Sequence, residues 1–192
     1  MASGKGSNFE ALVESTRNGP LDSSIELLVV NKPQCGARVR AERLGIPCIV
    51  HDHRLYSNRE SLDQALVNSF KKADVEAIVM AGWMRIVTPV LINAFPNRLI
   101  NIHPSLLPSF KGVNAIEQAL DAGVSLAGCS VHLVVPEVDA GRILAQAAVP
   151  VLSKDTAETL SARIQVQEHR LLPMAVALAA CNWRQASSEG SA

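Results

Sequence analysis

Hydrophobic and polar positions alternate in blocks along this chain. Short, nearly continuous apolar runs are separated by longer stretches in which apolar side chains recur every three or four positions, the spacing of amphipathic helices. Repeated strand-helix-strand units of this length predict right-handed crossovers and a doubly wound sheet. The predicted strands are 25–30, 46–50, 75–81, 99–103, 128–135 and 143–151, and the predicted helices are 7–17, 35–44, 57–72, 88–94, 114–122 and 155–183.

The second half of the pattern differs from the first. Its last two strands follow each other closely, with a short acidic loop between them, so they are expected to pair antiparallel. No repeat or linker divides the chain. The prediction is therefore an α/β fold, a single three-layer, Rossmann-like domain over residues 1–184 with a mostly parallel sheet and an antiparallel C-terminal strand pair. The small, polar tail 185–192 is expected to be disordered.

The beginning of the chain departs from this architecture. Gly4 and Gly6 lead into a helix at Ser7, whose spacing to Glu10 fits a capping box, and such a loop offers free backbone N–H groups to a phosphate. In a doubly wound sheet this loop normally follows a central first strand. Only two residues precede Ser3, so about five residues of the expected strand are missing from the pattern. We expect the chain to be poorly stable or inactive, and an added apolar N-terminal segment to restore both properties.

Composition excludes several function classes. The 192 residues contain 18 Lys plus Arg and 18 Asp plus Glu, a formal net charge of zero, which gives no general electrostatic reason to bind nucleic acid or an anionic membrane. No apolar run approaches a membrane span, and no signal peptide is recognisable. The cysteines lack metal-ligand spacing, so neither a metal site nor a disulfide framework is expected, and a cytoplasmic location, or an organelle stroma, fits. They are Cys35, Cys48, Cys129 and Cys181.

Two polar side chains interrupt the apolar strand 99–103. Asn101 and His103 are two positions apart, so in an extended chain they point to the same face. Pro104 lacks the N–H that a strand requires, which places the pair at the carboxyl end of the strand, where open α/β sheets bind ligands. Either residue alone is also compatible with a hydrogen-bonded core side chain. Together, at this position, they predict a site.

A longer motif surrounds this pair. Residues 101–108, Asn-Ile-His-Pro-Ser-Leu-Leu-Pro, followed by His132 and by Asp139-Ala140-Gly141, resemble the formyltransferase family that uses 10-formyltetrahydrofolate. The resemblance extends from Met1 to about residue 183. Gly6-Ser7-Asn8 and residues 165–169 resemble the branch of the family that formylates the amine of glycinamide ribonucleotide in purine synthesis. The resemblance implies that reaction, with 10-formyltetrahydrofolate as co-substrate and without a metal.

The resemblance assigns catalysis to Asn101, His103 and Asp139. An amine that attacks a formyl carbon produces an oxyanion and a positively charged nitrogen, so the reaction needs hydrogen-bond donors and a proton acceptor. Asn101 and a protonated His103 supply donors, and a nearby acid favours that protonated state. Glu137, two residues from Asp139, is a rival for the role of the acid.

The resemblance also implies a set of binding residues. Gly6, Ser7 and Asn8 would bind the ribotide phosphate and Glu168 the ribose hydroxyls, although Glu168 also fits a solvated helix position. Arg59 would lie near the glutamate tail of the folate, although it also fits an ordinary surface position. The remaining residues are Met84, Arg85, Ile86, Val87 and Asn101 around the folate, with Ser130 and His132 as supporting residues.

Other functions remain possible at this point. A formyltetrahydrofolate hydrolase and a methionyl-tRNA formyltransferase share the Asn-His-Asp set but carry additional domains for which this chain has no room. A non-catalytic nucleotide-binding domain would predict G-x-G-x-x-G after a strand, whereas Phe9 stands where the third glycine is required. The expected partners are thus small-molecule substrates, with neither nucleic acid nor membrane, on a monomer or a homodimer.

Overall fold

The computed structural model describes residues 1–19 and 21–189. Its elements agree in type and order with the predicted ones, although β1 and β3 each begin three residues later than expected. The elements are α1 Ser7–Asn18, β1 Leu28–Val30, α2 Gly36–Leu44, β2 Cys48–Val50, α3 Arg59–Lys72, β3 Ile78–Met80, α4 Pro89–Ala94, β4 Leu99–His103, α5 Ala115–Asp121, β5 Leu126–Leu133, β6 Ile143–Pro150 and α6 Ala157–Glu189.

The strands form two hydrogen-bonded groups. In the first, β1 and β2 are parallel; in the second, the order is β3-β4-β5-β6, with β3 parallel to β4 and with β5 antiparallel to both of its neighbours. The α/β class and the antiparallel end of the sheet are therefore confirmed. The antiparallel part includes the β4–β5 pairing, in which Asn101 lies opposite His132.

The first residues of the chain connect the two groups. Ala2 forms a parallel bridge with Val30 and donates its N–H to the carbonyl of Val29 at 3.0 Å. On the other side, the amino group of Met1 donates to the carbonyl of Val79 at 2.7 Å, and Ala81 donates its N–H to the carbonyl of Met1 at 2.9 Å. Met1 and Ala2 therefore lie between β1 and β3, in the central position predicted for a first strand.

Helices cover both faces of the sheet. One apolar cluster joins α1, α2, α5 and α6 to the sheet, with Leu12 and Leu172 fully or almost fully buried in it. The other joins α3 and α4 to the opposite face around Leu66 and Leu91. These are the three layers that the sequence predicts.

The last helix, α6, is longer than predicted. It continues past Pro173 to Glu189, so residues 185–189, expected to be disordered, are helical. Between Pro173 and that end the sequence contains no glycine or further proline to stop a helix. Residues 190–192 of the predicted tail lie outside the described residues. Over the part of the chain that the structure describes, no helix is long and apolar enough to cross a membrane.

Candidate active site

A cleft of about 640 Å³ opens at the carboxyl ends of β3 and β4. It extends from the glycine loop before α1 to the loop after β3. Nearly all of the predicted site residues line it. They are Gly6, Ser7, Asn8, Met84, Arg85, Ile86, Val87, Asn101, His103, Asp139 and Glu168, together with His132.

The carboxylate of Asp139 lies between two imidazole rings. His103 Nδ1 is 3.3 Å from one carboxylate oxygen, and His132 Nε2 is 3.5 Å from the other. The backbone N–H of Gly112 also donates to Asp139 Oδ2, at 2.8 Å. Asp139 reaches this position on a turn in which it has φ 49°, and a side chain at Gly141 would collide with the carbonyl of Leu133. The turn therefore requires glycine at position 141.

These contacts decide the charge of Asp139. Burial by itself raises the pKa of the carboxyl, but the interaction with His132, the hydrogen bond from Gly112 and the two nearby imidazoles more than offset it. The pKa of Asp139 is consequently below its ordinary value. The site holds a carboxylate rather than a carboxylic acid at neutral pH.

His103 has a partner on each ring nitrogen. Its Nε2 is 2.8 Å from the carbonyl oxygen of Phe110, which only accepts, so Nε2 carries a proton. A proton on Nδ1 as well would face the Asp139 carboxylate. Both ring nitrogens of His103 therefore face an acceptor, the Phe110 carbonyl on one side and the Asp139 carboxylate on the other.

His132 orients the side chain of Asn101. Its Nδ1 is 2.8 Å from the carbonyl of Leu133 and so carries a proton. Asn101 Nδ2 lies 3.1 Å from Nε2 of the same ring, and a carboxylate oxygen of Asp139 lies 3.5 Å from that nitrogen. The ring thereby holds the amide of Asn101 next to Asp139 in the cleft lining.

The glycine loop forms differently from the predicted capping box. Gly6 is the N-cap of α1, with φ 80° and no side-chain capping bond, so the Ser7–Glu10 capping box is wrong. A side chain at Gly6 would lie 2.6 Å from Cα of Ala37. Ser7 instead accepts a hydrogen bond from Gln165, at 3.0 Å. This contact between α1 and α6 prevails over the local one.

Next to this loop lies a buried polar pair. Asn8 donates to a carboxylate oxygen of Glu168 at 2.9 Å, and both side chains are only 9% exposed. Burial raises the pKa of Glu168, although the hydrogen bond from Asn8 and the imidazoles of His169 and His103 act in the opposite direction. Within the described residues, Asn8 Oδ1 is buried without a hydrogen-bond partner. A buried polar pair that lines a cleft and retains an unused acceptor is suited to a polar ligand.

The loop after β3 is unusually apolar for an exposed segment. Met84 is 75% and Ile86 51% exposed, whereas Val87 is buried. The backbone N–H of Met84 is held by the hydroxyl of Ser3 at 2.9 Å. Exposed apolar side chains at the rim of a cleft commonly contact an apolar ligand.

Two residues named from the sequence are not part of the cleft lining. Arg59, the first residue of α3, is exposed and is not among the residues around the cleft. Ser130 is buried and donates to the carbonyl of Ser105 while accepting from the N–H of Leu107, so it holds the loop after β4. Among the described residues, no cluster of His, Cys, Asp or Glu is arranged to hold a metal ion.

The sequence did not reveal the backbone partners of the site. The carbonyl of Phe110 and the N–H of Gly112 both contact the catalytic candidates, and both come from the loop after Pro108. Backbone groups have no residue signature. The only hint in the sequence is that Gly112 follows the motif closely.

With this geometry in place, comparison with known proteins defines the class of protein. The family model described as formyl transferase matches residues 1–176, so the chain belongs to the formyl transferase family. Phosphoribosylglycinamide formyltransferase from Bacillus subtilis (strain 168) is 42% identical over 175 residues, covering 91% of this chain and 90% of that protein. The crystal structure of glycinamide ribonucleotide transformylase 1 from Symbiobacterium toebii superposes with a TM-score of 0.91 at 41% identity, over 92% of this chain and 84% of the other.

A second group of relatives is much longer. The trifunctional purine biosynthetic protein adenosine-3 of Homo sapiens is 43% identical over 190 residues, which is 99% of this chain. The present chain spans about a fifth of that protein, since the match covers 19% of its length. The similarity therefore concerns one part of the trifunctional protein.

Proposed function

We propose that this protein transfers a formyl group from 10-formyltetrahydrofolate to the amine of glycinamide ribonucleotide, in the synthesis of purines. The observation that carries the proposal is the convergence of Asn101, His103 and His132 around the ionised Asp139, inside the cleft at the end of β4. The names of the Bacillus and Symbiobacterium relatives support the choice of substrates.

The residues present account for each step of such a transfer. The amine nitrogen forms a bond to the formyl carbon, and the side-chain amide of Asn101 donates a hydrogen bond that stabilises the negative charge on the formyl oxygen. The amine loses a proton towards Asp139, directly or through a water. The bond between the formyl carbon and the folate nitrogen then breaks, and protonated His103 supplies the proton that the departing nitrogen takes up.

The two ends of the cleft suit two different substrates. The N–H groups at the start of α1 and the positive end of its dipole would hold the ribotide phosphate, with Asn8 and Glu168 nearby for hydroxyl groups. The exposed apolar loop 84–87 suits the flat ring system of a folate. A reducing compartment, the cytoplasm or a stroma, is proposed alongside, because the described cysteines are all free.

The decisive experiment is a formyl-transfer assay with a matched pair of acid variants. Asp139→Asn should lower turnover by roughly 10²-fold, on the order of the loss of a transition-state contact. Glu137→Gln is the matched control, because that side chain is 75% exposed and forms its ion pair with Lys111, at 3.3 Å, on the surface. Equal losses in the two variants, or a loss in Glu137→Gln alone, would reject Asp139 as the acid.

A second matched pair tests the ribotide end. Glu168→Gln should raise KM for the ribotide by about tenfold, the effect of one hydrogen bond to a charged group, and leave KM for the folate nearly unchanged. Glu117→Gln, on an exposed position of α5, serves as the control. A rise in both KM values would indicate that Glu168 only supports the fold.

The same assay separates the rival functions. Formate released at equal rates without the ribotide would indicate a hydrolase, and formylation of methionyl-tRNA would indicate the other branch of the family. Calorimetric titration with the ribotide and with NAD distinguishes an enzyme of this class from a dinucleotide-binding domain. We expect heat of binding with the ribotide and none with NAD.

A further inference from the structure

Helix α2 contacts the glycine loop, residues 4–6, from the side that faces away from the cleft. The loop and the start of α1, residues 4–8, line the cleft, whereas none of the residues of α2 is part of that lining. Contacts between α2 and the loop can therefore shape the site without touching a substrate.

Two carbonyls of the loop are bound by α2. Ala37 donates its N–H to the carbonyl of Gly4 at 3.0 Å, and Arg40 Nε donates to the carbonyl of Lys5 at 2.9 Å. The first bond uses an N–H that has no acceptor within its own helix, since Cys35, the N-cap of α2, makes no side-chain capping bond. The second comes from a charged side chain that extends towards the N-terminus of its helix, as helical side chains do.

These two bonds set the direction of the N–H groups that follow. A trans peptide directs its C=O and its N–H to opposite sides, and the peptides after Gly4 and Lys5 are trans. Because both carbonyls face α2, the N–H groups of Lys5 and Gly6 face away from α2, on the side of the cleft. Over the described part of the chain, neither N–H donates to a protein acceptor. Both are therefore available to a ligand in the cleft.

The backbones of α2 and the loop are in direct contact. A Cβ at Gly36 would lie 3.0 Å from the carbonyl oxygen of Lys5, and a Cβ at Gly6 would lie 2.6 Å from Cα of Ala37. Glycine at both positions allows this approach. The orientation of the loop peptides therefore depends on how α2 is placed against them.

Glu10 in turn holds the guanidinium of Arg40. Its partly buried carboxylate, in the first turn of α1, forms ion pairs with both Arg40 and Arg43. Arg43 is the more exposed of the two arginines. Only Arg40 also donates to a carbonyl of the loop in the described structure. The two arginines therefore share the ion pair and differ in the contact with the loop.

A charged donor also changes the peptide that it binds. Hydrogen bonds polarise the groups that they join, and those from a guanidinium are roughly twice as strong as those between neutral groups. The bond from Arg40 draws electron density towards the carbonyl oxygen of Lys5. The N–H of the same peptide, which belongs to Gly6, consequently becomes a better donor to an anion.

We propose that Arg40 is a positioning residue for substrate binding, which holds the Lys5–Gly6 peptide so that its N–H donates to the phosphate of the ribotide. The identity of this ligand rests on the proposed function, but the geometry requires only a phosphate monoester. The buried, unpaired Asn8 Oδ1 in the same part of the cleft is a separate indication that a polar ligand binds there. Arg40 acts through the Lys5 peptide and does not contact the substrate.

Two methionine variants form a matched pair for formyl-transfer assays. Arg40→Met removes the donor and keeps an apolar stem, whereas Arg43→Met removes the other cation that pairs with Glu10. Arg40→Met should raise KM for the ribotide about tenfold, because a hydrogen bond to a charged group is weakened, and should change kcat and KM for the folate less than about twofold. Arg43→Met should change either KM less than about twofold.

The lysine variants give the same comparison if Arg40→Met does not fold. Arg40→Lys keeps a charged donor, but an ammonium lacks the planar fork that contacts the carbonyl of Lys5 and Glu10 together. It should raise KM for the ribotide less than Arg40→Met does and more than Arg43→Lys does.

Direct binding separates this inference from the proposed function. Calorimetric titration with ribose 5-phosphate needs neither a folate nor formyl transfer, and its Kd should rise about tenfold in Arg40→Met. In amide NMR spectra, the Gly6 signal should shift on addition of ribose 5-phosphate, and it should shift less in Arg40→Met. If the wild-type chain binds ribose 5-phosphate but does not formylate the ribotide, the proposed function fails while the binding data support the role of Arg40.

Four outcomes would overturn the inference. One is an unchanged Kd for ribose 5-phosphate in Arg40→Met, and another is wild-type protein that binds neither ribose 5-phosphate nor the ribotide. A third is an equal loss in Arg43→Met, which would assign the effect to the ion pair with Glu10. The fourth is an equal rise of KM for both substrates together with a lower Tm, which would make Arg40 a residue of the fold alone.

Discussion

The two clefts at the two ends of the sheet have similar volumes, about 640 and 700 Å³, yet they are built in different ways. At the carboxyl ends, polar side chains converge and hold each other in place, as Asn101, His103 and His132 do around Asp139. At the amino ends, apolar side chains and charged ones such as Glu26, Asp74 and Arg98 line the space together, and none of the candidate catalytic residues is among them.

This difference indicates which kind of ligand a cleft can bind. Oriented side chains with a carboxylate at their centre can stabilise charge that develops during a reaction, so the first cleft suits chemistry on small molecules. Volume alone would rank the two clefts as equals.

The largest effect is expected when a catalytic candidate in the first cleft is replaced. Asn101→Ala or His103→Ala should reduce turnover by roughly 10²-fold or more, on the order of 3 kcal/mol, because a donor to the transition state is lost. Tm should change little in Asn101→Ala, since that side chain is half-buried at the cleft surface.

Asn68→Ala is the matched control, because Asn68 is exposed on α3, where it accepts a hydrogen bond from Gln64 at 3.1 Å. The measurement is steady-state formyl transfer alongside thermal unfolding. Full activity in both Asn101→Ala and His103→Ala would refute the assignment of the site.

A smaller effect is expected at the phosphate end of the first cleft. Gly6→Ala places a Cβ 2.6 Å from Cα of Ala37 at a φ of 80°, so the loop must shift. KM for the ribotide should rise about tenfold, because one hydrogen bond to a charged group is lost. KM for the folate should rise less.

Two glycines provide controls for this variant. Gly4→Ala lies in the same loop with open space around it, and Gly45→Ala introduces positive φ strain at 69° without a collision. If Gly45→Ala lowers Tm as much as Gly6→Ala does, but only Gly6→Ala changes KM for the ribotide, the change in binding is not a consequence of backbone strain alone. Equal rises in both KM values would show that the loop only supports the fold.

Most of the first cleft could be predicted from the sequence, because its side chains interrupt apolar patterns. Asn101 and His103 stand in a buried strand, and Pro104 marks where it ends. The contribution of Phe110 and Gly112 could not be predicted, since their roles belong to backbone atoms.

Other differences arose from long-range contacts. The Ser7–Glu10 capping box fits local spacing, but Gln165, 158 positions away, bonds Ser7 instead. The register in which Met1 and Ala2 lie between β1 and β3 likewise required coordinates.

The buried amino group of Met1 predicts that the free energy of unfolding depends on pH. The Met1 amine has an ordinary pKa of 8.0 when unfolded and about 5 when folded, because burial disfavours its charged form. Between these values the unfolded chain binds a proton that the folded chain does not, so stability rises with pH from 5 to 8 and falls as the solution is acidified. The slope is at most about 1.4 kcal/mol per pH unit.

Urea unfolding at pH 5.5, 6.5 and 7.5 measures this slope. Burial lowers the pKa of His51 and gives a slope of the same sign near pH 6, so the comparison must be with an Nα-acetylated chain that lacks only the amine. We expect the acetylated chain to show the smaller slope. Identical slopes would mean that the amine remains solvated.

The smallest effect concerns Arg59, which the family resemblance places near the glutamate tail of the folate. The residue is exposed at the start of α3, outside the lining of the first cleft. Arg59→Ala should therefore change KM for a monoglutamyl folate less than about twofold, as expected for a screened surface charge. A folate with several glutamates extends further over the surface and carries more negative charge, so its KM should rise more in the variant. Steady-state assays with the two donors make the comparison, and Lys72→Ala, at the other end of the same helix, controls for net charge. A large rise in KM for the monoglutamyl donor would place Arg59 within the first cleft during binding, and an equal response to both donors and both variants would assign it to the surface alone.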